Sequence, residues 1–206
     1  MSELELAATK PRRFVVTTDS KHTFPVAGNL LNRQFDVEAI ADVNRTWAGD
    51  ITYIPTAQGW LYLAVVLDLK SRKVIGWSMK AMMDKSLVQE ALMMATKRRL
   101  GGPMKEKLLF HSDRGSQYAS SGYREELEQW GIVCSMSRKG NCWDNAPLES
   151  FFATLKKELV HRQKYQNHQQ AKASLFYYIE VFYNRKRRHS ALGYISPHDY
   201  EHNSRI

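Results

Sequence analysis

The chain has 206 residues, 43% of them hydrophobic, with 30 Lys and Arg against 21 Asp and Glu, a net charge of +9 and a pI near 9.5. That length supports one domain with a real core, and the excess of cations points to a polyanion partner such as DNA. The longest apolar run, WLYLAVVL from Trp60 to Leu67, is too short to span a bilayer, no leader pattern is visible, and two cysteines without a CxxC pair argue against a disulfide scaffold or structural zinc and suit a reducing, cytoplasmic setting.

Residues 1–44 show little sustained periodicity. They carry Lys10, Arg12 and Arg13, then GNLLNRQF, and read as an extended basic arm that ends in an ordered segment. A second unit, residues 45–206, follows. Its strand signals begin at Trp47, where Ile51, Tyr53 and Ile54 suit a strand and Pro55 ends it. Gln58-Gly59 is a turn, and Leu61 to Leu69 is nearly all apolar, as a strand buried on both faces should be. After a turn at Ser71, Val74 to Met79 completes an antiparallel meander.

Asp84 is placed to N-cap a helix over SLVQEALMMATKRRL, which Gly101-Gly102-Pro103 stops. A short strand from Leu108 to Phe110 leads to Asp113. A helix over Tyr123 to Trp130 and a fifth strand from Ile132 to Cys134 come next. SRKGNCWDN reads as a loop that orders on DNA. Asp144 reads as the N-cap of a helix reaching about His161, with Leu148, Phe151, Phe152, Leu155 and Leu159 on its apolar face. A last helix spans roughly His168 to Lys186, and Gly193 and Pro197 punctuate a short tail. The order β-β-β-α-β-α-β-α-α predicts an α/β fold: a mixed five-stranded sheet, three strands antiparallel and two parallel, flanked by helices, as in RNase H.

Three carboxylates stand where such elements would hold them still. Asp50 lies on the first strand, Asp113 at the end of the fourth, and Glu149 on a helix packed against the sheet. Phosphodiester chemistry needs an activated attacking oxygen and a stabilised leaving oxygen, which paired divalent ions can supply. Mg²⁺ asks for hard oxygen ligands, and a few carboxylates plus the substrate phosphate suffice. Lys156 returns to the Glu149 face of the helix about 10 Å further along, and Asn145 lies one turn before it. Lys157, Arg138, Lys139 and the RKRR cluster (Arg185, Arg187, Arg188), set among Tyr177, Tyr178, Tyr183 and His189, are further candidates to touch DNA. Taken singly, each acid has an ordinary structural reading, and Asp68 reads as a hairpin residue rather than a ligand. His111, Ser112 and Asp113 are consecutive, so alternate strand faces keep them from forming a hydrolytic relay among themselves.

The blocks LLNRQF, WAGDITYIPT, GWLYLAVVLDLKSRKVIGW, LLFHSDRGSQYAS, SMSRKGNCWDNAPLESFFATLKKEL and YIEVFYNRKRRHSALGYISP cover almost the whole chain. In order and spacing they resemble the OrfB-type transposases of bacterial insertion sequences, members of the integrase-core (rve, DDE) superfamily. The resemblance implies an RNase H-like core whose two aspartates and glutamate are Asp50, Asp113 and Glu149, with Lys156 as the basic residue that follows. It also implies cleavage and strand transfer at transposon ends with Mg²⁺ or Mn²⁺, two ions per site. Terminal inverted repeats and target DNA would be the substrates, bound by a homo-oligomer in the bacterial cytoplasm. Longer relatives carry a helix-turn-helix region ahead of the core, so end recognition is expected to reside there or in an OrfA-like partner. Two alternatives accompany this reading: a truncated, non-catalytic DNA-binding relic or regulator of the element, and a nonspecific RNase H-like nuclease. The NRKRRHSALGY and GNCWDNAPLES blocks favour the transposase over the nuclease.

Overall fold

Alternation along the strands decides how this chain layers itself. The computed structural model describes residues 22–103, 106–139 and 141–203. Five strands, β1 (Thr46–Thr56), β2 (Gly59–Asp68), β3 (Val74–Lys80), β4 (Leu108–Ser112) and β5 (Ile132–Met136), form one sheet in the order β3-β2-β1-β4-β5. β1, β2 and β3 pair antiparallel, while β1 with β4 and β4 with β5 pair parallel. This is the expected mixed sheet. In β2, Leu63 and Val65 serve the core on one face and Ala64 and Val66 the core on the other, which is why the strand reads as an unbroken apolar run.

Helix α1 (Lys85–Arg99) begins where expected, with the Asp84 side chain accepting a hydrogen bond from the Leu87 N–H. It packs on β3 at Gly76, where an added Cβ would lie 2.2 Å from the Ala91 carbonyl oxygen. With the short α2 (Ser116–Ala119) and α3 (Ser121–Gln129), α1 covers the face holding Trp47, Val66 and Phe110. Helix α4 (Ala146–Glu158) covers the other face through Leu148, Phe151, Phe152 and Leu155, each buried side chain worth about 1.5–3 kcal/mol. Helix α5 (His168–Phe176) adds Ala171 and Leu175 to the same core. The segment ahead of β1 belongs to it too, since Leu31 and Ile40 are buried in that core.

Several local expectations change. The last helix runs on from α5 as a π-helical stretch, Tyr177–Tyr183, which turns Tyr178, Ile179 and Tyr183 inward. The tail forms a further helix, α6 (Pro197–Asn203), held by Glu201, which pairs with Lys73 at 2.7 Å and with Arg99. Asp144 is not a helix cap: Asn145 holds that position without a side-chain cap bond, and Asp144 is buried in an ion-pair cluster. Asp68 does anchor the β2–β3 hairpin, accepting from the backbone N–H groups of Lys70 and Ser71 and from Asn44. None of the described helices is long and apolar enough to cross a membrane.

Candidate active site

The parallel ladder between β1 and β4 ends at the pair Gly49–Ser112. The next residue on each chain segment is an aspartate, Asp50 and Asp113. Adjacent strands run about 4.8 Å apart, so the two carboxylates are neighbours at the carboxyl end of the β4 ladder. By alternation both point to the face that bears Ala48 and Leu109, which is the face covered by α4. Glu149 sits in the first turn of α4, half-buried and off the apolar stripe. Sheet register thus joins two of the sequence-predicted acids, and helix packing brings the third to their side. A crevice at the carboxyl ends of neighbouring parallel strands is where open α/β sheets hold ligands.

Close packing keeps Asp50 in place. An added Cβ on Gly49 would lie 2.5 Å from the Phe110 ring, so the backbone of β1 can settle onto that ring only without a side chain. The Asp50 Oδ1 accepts from the Ile51 N–H at 2.7 Å. Burial raises the Asp50 pKa well above the ordinary value, the Asp113 and Glu149 charges add to it, and Lys156 opposes. Glu149 is also raised by burial. Asp113 is shaped by the turn after β4, its Oδ1 accepting from Gly115 N–H at 2.9 Å.

A buried histidine to which the residue pattern assigns no role fixes this end of β4. Ser135 Oγ accepts from the N–H groups of Leu30 and Leu31, so its proton is directed to His111 Nδ1 at 2.9 Å. His111 Nε2 then donates toward Ser137 Oγ at 3.3 Å, and Ser137 bonds the Ser112 carbonyl through its N–H and its hydroxyl. Burial pushes the His111 pKa down to about 4, which keeps the ring neutral. The chain of bonds ties β4, β5 and the segment ahead of β1 together one residue before Asp113. Its only sequence signal is a histidine inside an apolar strand.

The cations divide into two groups. Lys156 lies with its ammonium 4.6 Å from the centre of the Tyr53 ring, at the edge of β1 beyond its pairing with β4. Burial lowers its pKa and Asp50 opposes that shift. Arg187 turns to Glu158 and Arg138 to Asp144, so each is paired with a carboxylate, Arg187 partly buried and Arg138 exposed. Lys157, Lys139, Arg185 and Arg188 stay exposed. Asn145 is buried, and neither polar atom of its side chain has a hydrogen-bond partner among the described residues. Such a group costs about 1–3 kcal/mol, so its retention one turn before Glu149 asks for a reason.

The three acids offer only oxygen donors, with like charges pressed together, which is the chemistry of a hard divalent cation site. Among the described residues no three His, Cys, Asp or Glu side chains close into a finished metal cage. Mg²⁺ does not need one, because it keeps several waters and uses one or two carboxylates with substrate phosphate.

Two family models, each described as an integrase core domain, match residues 41–142 and 149–204. The chain is 47% identical over 197 residues to an insertion element IS600 uncharacterized 31 kDa protein of Shigella sonnei, covering 95% of this chain and 70% of that one. It is 45% identical over 196 residues to the transposase InsF for insertion sequence IS3A of Escherichia coli (strain K12), covering 95% of this chain and 66% of the relative. Among solved structures, the HTLV-2 integrase catalytic core domain in complex with magnesium superposes with a TM-score of 0.56 at 19% identity, over 77% of this chain and 97% of that one. The sheet order and this likeness establish the RNase H-like fold of integrase and transposase cores.

Proposed function

The chain belongs to the integrase-core transposases of insertion sequences, and from that premise we propose that it is the catalytic part of a DDE transposase, cutting and rejoining DNA at the ends of its element. The observation that carries this is the placement of Asp50 and Asp113 side by side just past the β1–β4 ladder, on the face where α4 presents Glu149. Carboxylates crowded in this way cost stability unless a cation compensates them. Asp50, Asp113 and Glu149 would hold Mg²⁺ or Mn²⁺, which when bound supplies Lewis-acid stabilisation of charge on the phosphoryl group.

The rest of the machinery positions DNA. Lys156, held between Tyr53 and Asp50, offers its ammonium to a backbone phosphate beside the reacting one. Asn145, buried one turn before Glu149 with its amide unpartnered among the described residues, would reach a DNA oxygen once the turn ahead of α4 shifts to expose it. Lys157, Lys139, Arg185 and Arg188 add phosphate contacts around the crevice. The chain spans 70% and 66% of the length of the two relatives described above. Recognition of terminal inverted repeats, assembly as a multimer on DNA and a helix-turn-helix partner of the OrfA kind therefore complete the proposal.

Asp50→Asn, Asp113→Asn and Glu149→Gln are each expected to lower cleavage and strand transfer by about 10³-fold or more, the scale of removing transition-state charge stabilisation. The assay uses an oligonucleotide carrying the element's terminal repeat, with Mg²⁺ or Mn²⁺, and a parallel measurement of DNA affinity, which should persist. Full activity in any one variant would overturn the assignment. DNA binding by the unaltered chain without cleavage would favour the non-catalytic relic instead.

A further inference from the structure

Asp144 is the most heavily bonded carboxylate described in this protein, and its partners come from two distant parts of the chain. Its Oδ1 takes Arg33 Nε at 2.7 Å and Arg138 Nη2 at 2.9 Å. Its Oδ2 takes Asn29 Nδ2 at 2.9 Å, the Arg138 backbone N–H at 2.8 Å and Arg138 Nε at 3.0 Å. The carboxylate is fully buried, yet the two arginine side chains remain 43% and 48% exposed. Arg33 commits only Nε, and its two terminal nitrogens have no partner among the described residues. Arg138 Nη1 likewise has none. Two guanidiniums converge on one anion, so one positive charge is left over, fixed in place and open to solvent.

The backbone is strained to achieve this. Asn32 and Arg33 have φ of 44° and 61°, a region that costs a residue with a Cβ on the order of 1 kcal/mol or more. The Asn29 side chain, also bound to Asp144, accepts from the Asn32 N–H and braces the turn. Leu30 and Leu31 are pinned to Ser135 beside it. Strain kept to hold a half-exposed arginine beside a second one has the form of a preorganised anion site. The turn Cys142–Asn145 leads straight into α4, so the cluster stands within about 10 Å of chain rise from Glu149.

We propose that Arg33 and Arg138, aligned by Asp144, form a single binding site for one backbone phosphate of DNA. The site deepens the functional reading given above and rests on it for the identity of the anion. Guanidinium pairs suit phosphate because their N–H groups meet its oxygens in a planar fork. Asp144 neutralises the repulsion between the two cations and leaves their outer edges for the phosphate. The same cluster joins the segment ahead of β1 to the residues that begin the Glu149 helix, so DNA held there steadies both at once.

The test uses the full chain and a short mixed-sequence duplex, with affinity followed by fluorescence anisotropy across a KCl series. Removing one phosphate from the protein's footprint should make the slope of log K against log[salt] shallower by about 0.9. Arg33→Gln, which still donates to Asp144 and is expected to keep the fold by circular dichroism, should show one such decrement. Arg33→Lys should show none. The double variant Arg33→Gln/Arg138→Gln should fall no further than Arg33→Gln alone, because both arginines serve one phosphate. A folded Arg33→Gln protein with an unchanged slope overturns the site and leaves the transposase reading standing. Two decrements in the double variant overturn the shared phosphate. If the unaltered chain shows no salt-dependent binding to the duplex, the site and the functional reading beneath it both fall.

Discussion

Glu201 is a buried acid and Asp50 a half-buried one, and the protein treats them in opposite ways. Glu201, on α6, is ringed by Lys73 and by Arg99, and these partners hold its pKa below the ordinary value against the effect of burial. Asp50, on β1, is pressed toward two further acids, with one lysine to offset them, and its pKa is raised. Burial acts alike on the two carboxylates, so the cation supply makes the difference. An acid surrounded by cations is part of the scaffold, whereas an acid kept among other acids lacks that surround and, under the proposed function, is there to bind a cation. Asp144 belongs to the first kind, its pKa depressed by bonds to Arg138 and Arg33.

The comparison breaks most visibly if the scaffold acid is removed. Glu201→Ala leaves Arg99, whose side chain is 9% exposed, without its main partner. Loss of one member of a buried pair should cost about 3–5 kcal/mol, read as a lower denaturation midpoint in urea. A loss below about 1 kcal/mol, the value of a surface pair, would put Glu201 among ordinary surface charges. Next in size is Gly49→Ala, which drives a methyl group into the Phe110 ring and should cost about 1–3 kcal/mol, with DNA cleavage falling as Asp50 shifts.

The smallest effect has the opposite sign. Asp50→Asn removes like-charge repulsion and should raise the melting temperature of metal-free protein by about 2–4 °C for each kcal/mol relieved. The sign follows from the raised folded pKa: ionisation of Asp50 weakens the folded state as pH rises from its unfolded value through its folded one. For Glu201 and Asp144 the folded pKa is depressed, so their stabilisation is full above the unfolded value and fades as pH falls through the folded one. Mg²⁺ should stabilise the unaltered protein at neutral pH and have much less effect on Asp50→Asn. A variant destabilised by the substitution, or equally stabilised by Mg²⁺, would erase the distinction between the two kinds of acid.

Much of this architecture is legible in the residue order because it is written locally. The apolar run of β2, the Asp84 cap and the stripe on α4 follow from period and propensity within a few positions. The side-by-side placement of Asp50 and Asp113 could be expected because strand order determines which chain ends become neighbours. Asp144 misleads for the opposite reason. An aspartate before a helix signals a cap, and its real partners, Asn29 and Arg33, lie more than a hundred residues away in sequence. The same distance hides the Ser135–His111 relay's hold on Leu30 and the ion pairs that make α6 a helix on the core rather than a loose tail. The unpartnered amide of Asn145 is likewise a property of its surroundings.

Gly49 carries a consequence for how copies of such a gene decay. Every single-base change in a glycine codon that alters the residue supplies at least a Cβ, and here even that carbon meets Phe110. No replacement of this residue is therefore a gentle step. A copy that drifts there loses its working geometry from within the core, while all three acidic codons remain intact for any reader who judges the gene by its motif.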